Sequence, residues 1–212
     1  MSRYINQLIS QGEGQTLDFK YEISDASKIA RSLVAFTNTD GGKLLIGVKD
    51  NGHITGIQSE EEYYMIEAAA HLYCRPEVSF TFRRWDIEGK TILEVDIPKA
   101  KNRPFLAKMP DGKWLAFIRV NDQNLLANRV LLKVWEKETI NKGAWIKYGD
   151  PEKKLLEYLR NNPHITLSKF SRIARISLRY AEEILVNLIL PGIVEMEITE
   201  KSVYYRLKKD NK

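Results

Sequence analysis

Ala35–Gly56 reads A-F-T-N-T-D-G-G-K-L-L-I-G-V-K-D-N-G-H-I-T-G, and the reading of the first two thirds of the chain depends on it. A helix ends at Asn38-Thr39-Asp40, Gly41-Gly42 turns the chain, and the run Lys43–Val48 is a strand. Asp50-Asn51-Gly52 closes a hairpin into Ile54–Ile57, because Asn-Gly tolerates the positive φ of tight hairpin turns. Upstream, Asp25 is placed to cap the helix, which runs to about Thr37 with Ile29, Leu33 and Phe36 on one stripe and Ala30 and Val34 beside it. Downstream, Ser59 can cap a second helix that opens on Glu60, Glu61 and Glu62, where the helix dipole favours acids. Glu77–Asp86 alternates, and Glu88-Gly89 returns it into Thr91–Ile97, where Leu93, Val95 and Ile97 share a face. Pro110-Asp111-Gly112 turns the chain into a strand Trp114–Val120, and Leu125–Glu138 reads as a helix. This order predicts an α+β domain on a mixed, mostly antiparallel sheet with flanking helices.

A second pattern follows residues 141–150, which read as a linker between a domain at 1–140 and one at 151–212. Asp150 caps a helix with Pro151 at its first position, and Leu155, Leu156 and Leu159 form its apolar face. Leu167–Ala174 is a short helix, Arg175-Ile176-Ser177 a tight turn, and Leu178–Leu190 a longer helix capped by Ser177. Two strands, Ile193–Ile198 and Val203–Leu207, close the chain. Three helices and a two-stranded ribbon resemble a winged helix-turn-helix domain.

Composition narrows the function classes. The chain has 212 residues, 43% of them hydrophobic, a net charge of +5 and a pI near 9.1, which suits a globular protein with a polyanionic partner. Residues 151–212 hold 12 of the 33 Lys and Arg but only 8 of the 28 Asp and Glu, so most of the excess lies there. The single cysteine, Cys74, excludes an internal disulfide and a cysteine zinc cage. His53, His71 and His164 have no metal-spaced neighbours. No run is long and apolar enough for a membrane span, and M-S-R-Y-I-N-Q lacks a signal-peptide core, so a cytoplasmic location is expected.

Upstream of the opening stretch, Gly12–Lys20 reads G-E-G-Q-T-L-D-F-K. Together the two pieces resemble the Schlafen AlbA-like domain family, whose pattern is Glu, four residues, Glu or Asp, an aromatic and Lys, then a helix, A-F-x-N-T-x-G-G, a strand and G-V-x-D. The resemblance covers roughly residues 10–125 and implies nucleic-acid handling. It also implies that Glu13, Asp18 and Asp50 match the three carboxylates of Schlafen-type nucleases, although this chain carries Asp18 where those enzymes carry Glu. Such a cluster can hold Mg²⁺ or Mn²⁺ at a phosphodiester. Residues five apart on a continuous strand face opposite ways, so Glu13 and Asp18 converge only if the chain bends between them. Lys20 can meet a phosphate or a carboxylate. Asp50 before Asn-Gly and the turn at Thr37–Gly42 are also what turn geometry alone would select.

Basic residues mark candidate nucleic-acid contacts. Lys99, Lys101, Arg103, Lys108 and Arg119 surround a loop stiffened by Pro98 and Pro104, with Arg83, Arg84 and Trp85 near in sequence. In the second domain the helix Leu178–Leu190 is the major-groove candidate, with Ala181, Ile184, Leu185 and Leu188 facing the core. That leaves Arg179, Tyr180, Glu182, Glu183 and Asn187 for exposure, while Lys169, Arg172, Arg175 and Lys201 can hold phosphates. The leading expectation is a non-enzymatic nucleic-acid-binding protein without a cofactor, a transcriptional regulator preferring DNA to RNA, with a homodimer plausible. One alternative is a Mg²⁺- or Mn²⁺-dependent endoribonuclease using Glu13, Asp18 and Asp50. Another is a protein-interaction module that uses Glu182 and Glu183.

Overall fold

The computed structural model describes residues 2–59, 61–140 and 148–208; most of the expected linker, residues 141–147, lies outside them. The chain divides into two compact units, Met1–Ala127 and Asn128–Lys212.

In the first unit the elements run α1 (Ser2–Gln11), β1 (Leu17–Lys20), α2 (Ala26–Asn38), β2 (Gly42–Ile46), α3 (Glu61–Leu72), β3 (Cys74–Arg75), β4 (Thr81–Ile87), β5 (Lys90–Ile97), β6 (Leu106–Lys108), β7 (Trp114–Leu115), β8 (Phe117–Val120) and β9 (Gln123–Leu126). The main sheet has the order β1-β2-β5-β4, with β1 and β2 parallel and the other pairs antiparallel. A three-stranded sheet β3-β6-β7 and the hairpin β8-β9 complete the unit. The fold is α+β, as the patterning predicts.

Helix α2 starts where Asp25 accepts hydrogen bonds from the Ser27 amide and hydroxyl. Nearly every side of it is buried, including Ile29, Leu33, Val34 and Phe36, against Leu44, Leu93 and Val95 on one sheet face. Each such side chain contributes roughly 1.5–3 kcal/mol by leaving water. The opposite face is covered too, by Ile5 with Leu8 and Ile9 of α1 over Leu17, Phe19, Leu45 and Ile92. That explains why Ile92 and Glu94 are buried as fully as Leu93 and Val95.

Two expectations change. The run Trp114–Val120 breaks at Ala116 and serves two sheets. The helix expected at Leu125–Glu138 starts later: the left-handed Asn121 turns the chain back so that Gln123–Leu126 pairs with β8. Asn128 then caps α4 (Arg129–Ile140) by accepting from the Leu131 amide.

The second unit contains α4, α5 (Asp150–Asn161), α6 (Leu167–Ala174), α7 (Leu178–Ile189), β10 (Val194–Ile198) and β11 (Val203–Leu207), the last two forming an antiparallel ribbon. Val130 and Val134 of α4 share one core with Leu155, Phe170, Leu185 and Tyr205. The helix that sequence placed at the end of the first domain therefore packs within the second unit.

Candidate nucleic-acid interface

The bend between Glu13 and Asp18 is a turn closed by the Gly14 amide donating to the Leu17 carbonyl at 2.8 Å. It lays Glu13 beside the strand, where its Oε1 accepts from the Phe19 amide at 2.8 Å. The Glu13 and Asp18 carboxyls lie close enough to act on each other. Asp18 is buried and held by two cations: Arg119 Nη2 lies 3.1 Å from Oδ1 and Lys20 Nζ 2.8 Å from Oδ2, the latter a close ion pair not aligned as a hydrogen bond. Burial, and then the neighbouring Asp18 carboxyl, push the Glu13 pKa up to about 7. For Asp18, burial acts upward but is outweighed by the Glu13 carboxyl and by Lys20 and Arg119, so its pKa falls. Asp18 therefore holds its negative charge more readily than Glu13 does.

Arg119 is the hub of this arrangement, and its side chain is 1% exposed. Besides Asp18 it donates to the carbonyls of Gly14, Leu17 and Asn121 and to Asn124 Oδ1, and it stacks over Phe36 at 5.0 Å. Its own amide donates to Thr39 Oγ1 at 2.9 Å. Gln15 adds a second tie, donating to Asp40 and to the Arg119 carbonyl. The two sequence motifs are therefore fastened together across α2 and β8. Asn38 does similar work, donating to the carbonyls of Phe105 and Phe117 and accepting from the Phe105 amide. Gly41, at φ +72°, lies so close to β5 that a Cβ there would sit 2.7 Å from the Ile97 carbonyl oxygen. The stretch Thr37–Gly42 is a helix end stitched to its surroundings, with the Thr39 and Gly41 amides both spent on the Phe36 carbonyl.

These positions correct two site expectations. Arg119, expected to touch nucleic acid, is buried and bonded inside the fold. Asp50 lies exposed on the hairpin closed by Lys49 and His53. Among the described residues no three His, Cys, Asp or Glu side chains gather as a metal site requires. With Asp18 neutralised by two cations, Glu13 engaged by the Phe19 amide and Asp50 on a separate hairpin, the donor set does not fit a divalent ion. Of the remaining basic candidates, Lys20 is held at Asp18 and the Phe19 carbonyl. Lys99 pairs with Asp40 at 3.1 Å, Lys101 is exposed, and Arg103 is half-buried.

In the second unit the basic residues do converge on one corner. Thr166 caps α6 and Ser177 caps α7, and Arg175 between them takes the left-handed conformation (φ 54°) that ends α6. Lys169, Arg172, Arg175, Arg179 and Tyr180 are all exposed, and residues 167–180 contain no acid. Lys169 sits over the Tyr158 ring at 4.9 Å. Lys201 is exposed in the turn joining β10 and β11.

One acid of α7 is not where the sequence put it. Glu182, expected to be exposed, is 4% exposed because α4 covers that side. Lys133 bridges Glu182 and Glu183 at 2.8 Å each, and Lys137 donates to Asn187. Of the two acids expected to form an interaction surface, Glu182 is withdrawn from it, while Glu183 keeps a side chain that is 42% exposed.

The sequence reading also missed α1 and the buried Glu94, which accepts from Tyr4 and Trp85 and pairs with Lys43. A signal existed for α1: Ile5, Leu8 and Ile9 follow helical spacing. Nothing in the sequence pointed to the burial of Arg119.

The family model described as Schlafen, AlbA_2 matches residues 13–128. No curated protein matches the chain. Among solved structures, the DIP2311 protein from Corynebacterium diphtheriae is similar at 18% identity and TM-score 0.44, over 64% of this chain and 31% of that one. The N-terminal domain of a protein related to the ATP-dependent DNA helicase RecG, from Nitrosomonas europaea, is similar at 21% identity and TM-score 0.40, over 59% of this chain and 95% of that domain. This chain thus spans about a third of the Corynebacterium protein. No helix of the described residues is long and apolar enough to cross a membrane.

Proposed function

The chain belongs to the Schlafen, AlbA_2 family over residues 13–128, and on that footing we propose that it is a nucleic-acid-binding protein that grips duplex DNA with its second unit and acts in transcription regulation. Helices α5, α6 and α7 with the β10-β11 ribbon are read as a winged helix. In this reading the first turn of α7, led by Arg179 and Tyr180, enters the major groove. Lys169, Arg172 and Arg175 hold phosphates on one side, and Lys201 does so from the ribbon tip. The observation that carries the reading is the one-sign corner: four exposed cations on residues 167–180 with no acid among them, while Glu182 and Glu183 are tied back to Lys133. DNA is preferred to RNA because the A-form major groove is too narrow for a helix. A homodimer would supply the second half-site contact that one small unit lacks.

The test is fluorescence anisotropy of a labelled mixed-sequence duplex with the full chain across a salt series. Affinity is expected to fall steeply with salt, and Lys169→Ala/Arg172→Ala should flatten the log–log slope by about two, close to 0.9 per lost phosphate contact. A slope unchanged in that variant would refute the assignment of the corner.

A further inference from the structure

A second site lies in the first unit, and its case does not rest on the nucleic-acid reading. Where α3 begins, an open cleft of about 620 Å³ is walled by apolar Ile23, Met65 and Ala68 and edged by Ser24 and Glu22. Its lining includes three carboxylates, Glu22, Glu61 and Glu62, and no lysine or arginine. Residues 51–74 likewise contain neither, in a chain with 33 of them.

Glu62 is the unusual member. It lines the cleft while being 95% buried, with 5% of its surface exposed. Its Oε1 accepts a long, 3.3 Å hydrogen bond from the Gln58 amide at the helix start. Its Oε2 is shut off from solvent and has no hydrogen-bond partner. A carboxylate oxygen left this way is costly unless a donor meets it. Burial raises the Glu62 pKa against the downward pull of the Gln58 amide, and the charge of Glu22 adds a smaller upward push.

We propose that this cleft binds an aliphatic ammonium group: N–H donors for Glu62 Oε2 and Glu22, with the methylene stem against Ile23, Met65 and Ala68. A compact ammonium on a flexible stem fits better than a guanidinium, whose planar fork calls for a bidentate, aligned carboxylate. A free diamine and a lysine side chain share this chemistry.

The test is an amide-resolved NMR titration of the full ¹⁵N-labelled chain with putrescine and, separately, with Nα-acetyl-lysine methylamide. Sodium chloride at matched ionic strength and 1,4-butanediol are the controls. Saturable shifts confined to residues 22–24 and 58–68 are expected with at least one amine, and the tighter of the two identifies the source. Glu62→Gln should weaken binding at least tenfold; Glu22→Gln, which leaves the helix start intact, should weaken it several-fold. Shifts no larger than those from sodium chloride, equal shifts from butanediol, or unchanged affinity in both variants would overturn the proposal.

Discussion

Replacing Arg119 by Met should unfold the first unit far more readily without lowering nucleic-acid affinity of the folded protein. The magnitude follows from what the guanidinium does. It is 1% exposed, makes five hydrogen bonds and neutralises Asp18, itself buried. Removing one partner of a buried pair costs about 3–5 kcal/mol, and three backbone carbonyls lose a donor as well, each worth roughly 1 kcal/mol or more if it stays dry. A loss of about 4 kcal/mol is therefore a conservative expectation. At a urea m-value of roughly 2 kcal/mol/M it moves the midpoint down by about 2 M. The assay is urea denaturation followed by circular dichroism, with hydrogen exchange at residues 14–20 and 117–126 to place the loss. Arg119→Lys keeps the charge but not the fork, and should recover less than half. Arg119→Met/Asp18→Asn should be more stable than Arg119→Met, because the uncompensated charge is gone. A single variant within about 1 kcal/mol of the parent, or a double variant no better than the single one, would refute the role of Arg119 as internal anchor.

The Glu13–Asp18 pair makes stability depend on pH in two directions. Glu13, raised to about 7 from 4.5, contributes fully below its ordinary value and loses that contribution as pH climbs from 4.5 through 7. Asp18, lowered, contributes above its ordinary range and loses that contribution on acidification. Urea midpoints across this range should therefore lose their decline between pH 4.5 and 7 in Glu13→Gln, and a slope that survives the substitution would sink the assignment of that decline to Glu13. Gly41→Ala combines left-handed strain with overlap on the Ile97 carbonyl; it should cost about 2 kcal/mol or more in the same melts. Lys133→Met leaves buried Glu182 with only Arg129, 3.9 Å away. Thermal melts should show a loss of about 3 kcal/mol, largely restored in Lys133→Met/Glu182→Gln.

What could be read from the sequence follows from the range of each interaction. Asp25, Ser59, Asn51-Gly52 and Pro110-Asp111-Gly112 set caps and turns through neighbours a few residues away, and those caps and turns are present where expected, although Asn51-Gly52 leads into a single bridge at Ile54 in place of the expected strand Ile54–Ile57. Strand alternation located β5 but misjudged its burial, since a strand covered by α1 as well as α2 no longer shows a polar face. The helix expected at Leu125 failed because Leu125 and Leu126 belong to a hairpin set by Asn121. For the site, the motif indicated that Glu13 and Asp18 belong together. It could not show that Arg119, about a hundred residues on, occupies Asp18, nor that α4 covers Glu182. A charge on a strand or helix looks solvated until the element lying over it is known.

The placement of α4 bears on how the protein can be taken apart. A fragment starting at residue 151, where the sequence suggests a domain begins, would strip Val130 and Val134 from the second unit's core and uncover Glu182 without its lysine. Such a piece would expose an oily helix flank beside an orphaned charge, and should clump or misfold whatever its affinity for DNA. Cutting between Ala127 and Asn128 keeps the cap of α4 and both valines with their neighbours. A negative binding result from the shorter fragment would then report on damage to the fragment, and one from the longer fragment would report on function.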